Sequence, residues 1–149
     1  MKPKTYMILL ADRKQAKMFT IIDGTVEKKE EFVDGQVPQI VKHGDNLWDA
    51  QDKIFRHIED HLHRHLTLIG NRAARFAKRN HVSEIIIGGH KPLFAKIEKH
   101  LPYPFCHKVS GRFVTELKAP FNEILRRAKR SIVQLEEESK VKYATAANS

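Results

Sequence analysis

Three histidines of the sequence, His57, His61 and His65, stand four residues apart. On a helix that spacing brings the imidazoles onto one face, where they could coordinate zinc. Two features argue against a metal. No glutamate occupies the position a zincin motif requires, and Lys53 and Arg64 nearby would repel a cation. No metal and no other cofactor is therefore assigned. The imidazoles can instead belong to a solvated polar face, or stack on bases and donate to phosphates.

A second set is cationic. Arg72, Arg75, Lys78 and Arg79 crowd the end of the same segment. At a helix C-terminus they complement the macrodipole by about 0.3–1 kcal/mol each. They can equally contact phosphates, joined by Lys42 and His43 upstream, and together these form the candidate nucleic-acid-binding set. Arg126, Arg127, Lys129 and Arg130 make a further cluster, followed by Glu136, Glu137 and Glu138, and read as a solvated face. Asp12 could be one carboxylate of a metal nuclease, but none follows Gly88-Gly89-His90, and a turn role fits it better. Gly88-Gly89-His90-Lys91 is too short for a Walker-type phosphate loop and lacks its Ser or Thr. It reads as a place where backbones approach closely. Trp48, the only tryptophan, is either a staple at a helix entry or an exposed stacking platform. Asp45 or Asn46 can cap the helix that follows.

The elements that must carry these residues can be read from periodicity. Residues 6–12 and 17–23 are apolar runs typical of buried strands, and Asp23-Gly24 is a hairpin signal. Residues 25–33 form a strand so charged that it belongs at a sheet edge. Residues 34–48 read as a loop. From Asp49, apolar residues Ile54, Ile58, Leu62, Leu66, Ile69, Ala73 and Phe76 stripe a helix to about Asn80, with Gly70 as a bend or break. A β-branched strand at 84–87, a short helix at 92–100, a strand at 105–109 and a final helix at about 118–140 complete the order. The expectation is an α/β fold: a ribonuclease H-like mixed five-stranded sheet, with a three-strand antiparallel meander, two crossover units and helices on its faces. A single domain spans 1–140, and 141–149 is a disordered tail.

The chain has 149 residues, enough for one core, and carries a net charge of +9 at pH 7 from 27 Lys plus Arg against 18 Asp plus Glu. That surplus attracts polyanions. The lone Cys106 excludes an internal disulfide and a cysteine-rich metal site. No apolar run is long enough for a membrane span, and the short run 6–11 is a strand and not a signal peptide. A cytoplasmic protein is expected.

In order along the chain, Leu10-Ala11-Asp12, Ala16-Lys17-Met18-Phe19, Lys42-His43-Gly44, Ala73-Ala74-Arg75-Phe76, Ile85-Ile86-Ile87-Gly88-Gly89-His90 and Leu93-Phe94 form a pattern. It resembles the middle domain of class-1 archaeal and eukaryotic peptide-chain release factors. It is more similar still to their stand-alone bacterial relatives, some called host-attachment proteins. The resemblance covers roughly residues 5–140 and implies binding to tRNA or the ribosome. In release factors a similar Lys-His-Gly leads into Gly-Gly-Gln, whose glutamine helps place water at the ester of peptidyl-tRNA. Here Gly44 leads into Asp45-Asn46-Leu47-Trp48, and neither Gln36 nor Gln51 is flanked by a glycine pair.

Three functions stay open. The first is a translation-associated binding protein for tRNA, ribosomal RNA or the ribosome. The second is a peptidyl-tRNA hydrolase or ribonuclease with a rearranged loop, for which Gln51, His43 and Asp12 are the catalytic candidates. The third is a protein-interaction domain with no nucleic acid involved, for which a homodimer is one form.

Overall fold

The computed structural model describes residues 3–33 and 47–147. Its elements are β1 (Thr5–Ala11), β2 (Gln15–Ile22), β3 (Thr25–Val33), α1 (Leu47–Arg79), β4 (Glu84–Gly89), α2 (Lys91–His100), β5 (Val109–Val114) and α3 (Phe121–Ala147). The sheet has the order β3-β2-β1-β4-β5. β2 is antiparallel to both β1 and β3, while β4 runs parallel to β1 and β5 parallel to β4. This is the expected meander followed by two crossovers, in the ribonuclease H-like arrangement.

β1 and β4 are central because both of their faces are apolar. Met7, Leu9, Ala11, Ile85 and Ile87 join the core under α1 and α2, with Leu66, Ile69, Ala73 and Phe76 above them. Tyr6, Ile8, Leu10 and Ile86 face the other way, against Ile124, Ala128 and Ile132 of α3. Each fully buried Leu or Ile contributes about 1.5–3 kcal/mol. The hairpin between β2 and β3 turns at Asp23 and Gly24, with φ of 51° and 80°, the left-handed pair a two-residue turn requires. β3 is an edge strand, and Glu27, Lys28, Lys29, Glu30 and Glu31 discourage pairing with another chain.

Three larger differences separate the structure from the sequence reading. The fifth strand is not at 105–109: Phe105–His107 is a single 3-10 turn, and β5 begins at Val109. Phe105 and Cys106 pack on the core from that turn, so their apolar character reflects burial and not extension. Gly70 does not break α1, which is continuous. Its bare Cα instead admits the carbonyl of His100 from α2. The last helix starts after Pro120 and runs to Ala147, past the expected end at 140. No Gly or Pro follows Lys140 to stop it, and Ala144, Ala146 and Ala147 favour its continuation.

Candidate nucleic-acid interface

α1 runs antiparallel to β1. His65 lies beside Asp12 at the carboxyl end of β1, and Ser83, just after the helix, donates its N–H to Thr5 O at the amino end. At about 1.5 Å per residue, the turns of α1 before His65 span roughly 27 Å. Among its described side chains, Leu62 is the first buried one.

The cations of the second half of α1 are exposed. Arg72 is the most engaged. Its guanidinium lies 4.4 Å from the centroid of the Phe32 ring and 3.9 Å from Glu30 Oε1. Phe32 also stacks with His65, two helical turns earlier, at 6.1 Å and 19°. Arg75, Lys78 and Arg79 make no ion pair among the described residues. Lys42 and His43 lie outside the described residues, as do Asp45, Asn46 and the side chains of Trp48, Gln51 and His57. Val33, the last described residue before Lys42 and His43, pairs with Gln15 at the carboxyl edge. Arg79 lies toward the opposite, amino edge.

His61 and His65 do not form a solvated face. His65 is fully buried, and its Nε2 lies 2.9 Å from the carbonyl oxygen of Asp12. His61 is half-buried. His63, off that stripe, meets His100 of α2, with His63 Nδ1 and His100 Nε2 3.1 Å apart. Asp12 itself is a turn residue, its Oδ1 accepting the N–H groups of Lys14 and Gln15, each at 2.7 Å. Among the described residues no three His, Cys, Asp or Glu side chains converge as metal ligands would. On α3, Arg126, Lys129 and Arg130 are exposed, while Arg127 is held by Glu123 at 3.0 Å and by the carbonyl of Val114 at 2.8 Å.

A family model, bacterial archaeo-eukaryotic release factor family 10, matches residues 2–132. The chain belongs to this family. A comparison with curated proteins finds no match. Among solved structures, the fold is similar to the crystal structure of the archaeal translation termination factor aRF1, with TM-score 0.57 and 17% identity over 96% of this chain and 42% of that one. It is also similar to a structure described as an archaeal protein, with TM-score 0.54 and 15% identity over 96% of this chain and 41% of that one. The chain thus spans about two fifths of the length of the structures it matches.

Within this release-factor-family fold one group of residues escaped the sequence reading. Arg13 and Lys14 follow β1, and His90 and Lys96 follow β4, around a common crevice at the carboxyl edge. In sequence they are a polar turn and the start of a short helix, far apart. Only the parallel pairing of β1 with β4 makes them neighbours.

Proposed function

We propose that this release-factor-family chain acts in translation as a docking protein, seated on tRNA or ribosomal RNA. One observation carries the reading: Arg75, Lys78 and Arg79 stand exposed on α1 without ion-pair partners among the described residues. On a chain with net charge +9, such cations bind phosphate and release its condensed counterions. Docking in this way depends on charge and shape, and needs no hydrolytic group. Gly-Gly-Gln occurs nowhere in the sequence, and Asp12 Oδ1 is engaged within its turn. Both points favour binding over hydrolysis. Among the described residues no helix is long and apolar enough to cross a membrane, and the proposed place of action is the cytoplasm, with the ribosomes.

Co-sedimentation with ribosomes and filter binding to tRNA, each across a salt series, test the proposal. Affinity should fall steeply with rising salt. Affinity unchanged between low and moderate salt would remove the electrostatic basis of the reading.

A further inference from the structure

The ends of β1 and β4 form a different kind of surface. The two strands are parallel neighbours at the centre of the sheet. After β1 the chain turns away to β2 on one side, and after β4 it leaves through α2 toward β5 on the other. Adjacent parallel strands whose connections part in this way leave a crevice beyond their carboxyl ends, a common ligand position in open α/β sheets. Here the crevice has a volume of about 460 Å³, within the range of sites for small molecules.

Its lining has one dominant charge. Arg13 and Lys14 enter from the turn, His90 and Lys96 from α2, and Pro92 with Leu93 supplies an apolar wall. None of the four basic side chains has a carboxylate partner among the described residues. The one acidic lining residue, Asp12, has its Oδ1 committed to the N–H groups of Lys14 and Gln15. The turn is fixed from beneath by buried His65, so its two cations project from a rigid base. α2 has no side-chain cap and no acidic residue in its first turn, which leaves its positive end uncompensated.

We propose that this crevice binds a phosphate group carried by a nucleotide, either free or at the 5′ end of an RNA strand. Cations converging from two elements suit a multi-oxygen anion, and the apolar wall suits the attached nucleoside. The volume is that of a small ligand and not of a duplex. The site lies apart from the cations of α1 and stands or falls independently of RNA docking there.

The test is calorimetric titration of the full chain with inorganic phosphate, ADP, and a short RNA with either a 5′-phosphate or a 5′-hydroxyl. Saturable phosphate binding is expected, weakened about tenfold or more when Lys14→Ala and Lys96→Ala are combined. Arg130→Ala on α3 should leave it unaltered. ADP binding more tightly than phosphate would identify a free nucleotide as the source. A preference for 5′-phosphorylated RNA with no gain for ADP would identify a strand end. Either result supports the site. Absence of saturable binding by all these probes, or a loss in the double variant no greater than in Arg130→Ala, overturns it.

Discussion

The Nε2 of His65 lies 2.9 Å from the carbonyl oxygen of Asp12, across 53 positions of sequence. A carbonyl only accepts, so this nitrogen carries the proton. The bond ties the middle of the long helix to the first turn of the sheet, with the imidazole fully buried. His65→Ala removes the donor, strands the acceptor and opens a cavity, and should cost about 2–4 kcal/mol. His65→Phe restores volume without the bond and should cost about half as much. Urea unfolding of the three proteins checks the order: equal midpoints for wild type and His65→Ala would show that the bond contributes nothing.

Gly70 offers a second test of how the helices meet. Gly to Ala inside a helix normally stabilises by about 1 kcal/mol through propensity. At this position a Cβ would collide with the backbone carbonyl of His100, and backbone cannot rotate aside as a side chain can. Gly70→Ala should therefore destabilise, by about 1–3 kcal/mol of overpacking. Asn71→Ala, exposed on the next residue, should be neutral or stabilising. Thermal unfolding that ranks Gly70→Ala above wild type would contradict the close approach of α1 and α2.

Tyr6 sets a pH dependence. Burial, with the Glu84 and Glu136 carboxylates nearby, pushes its phenol from 10.0 up to about 12. The folded state thus holds a proton that the unfolded chain gives up at lower pH. Its contribution is complete below pH 10, declines as pH rises from 10 to about 12, and is gone above that. Tyr6→Phe should abolish this part of the alkaline loss. Denaturation midpoints of wild type and variant, compared between pH 9 and 12, should converge as pH rises. Parallel curves would refute the assignment.

The apolar elements were readable from the sequence because their burial is simple. The run Ile85-Ile86-Ile87 is buried on both faces, and Asp23-Gly24 left little choice of turn. β5 was hidden because it is a half-exposed edge strand containing Gly111 and Arg112, with a register shift opposite Ile85 and Ile86. The histidine spacing showed that His61 and His65 share a side of α1 but not that His65 faces inward. That depends on Phe32 and Asp12, which arrive from other strands. The crevice at the carboxyl edge needed the strand order itself, since Lys14 and Lys96 become neighbours only through the pairing of β1 with β4.

The cations of α1 should differ in their effect on RNA binding. Arg75, Lys78 and Arg79 make no ion pair among the described residues and can neutralise phosphate, whereas Arg72 already faces Glu30 at 3.9 Å and lies over Phe32. Each phosphate contact on single-stranded RNA adds about 0.7 to the slope of log affinity against log salt. The combined change Arg75→Ala, Lys78→Ala, Arg79→Ala should thus flatten that slope by about two, while Arg72→Ala alone should change it less than any one of the three. Arg126→Ala with Arg130→Ala, on the far side of the sheet, should leave the slope as it is if docking uses α1. Filter binding to tRNA at several salt concentrations measures all of these. A slope lost with the α3 pair and kept with the α1 triple would move the docking surface to the opposite face, because only residues that displace counterions can alter it.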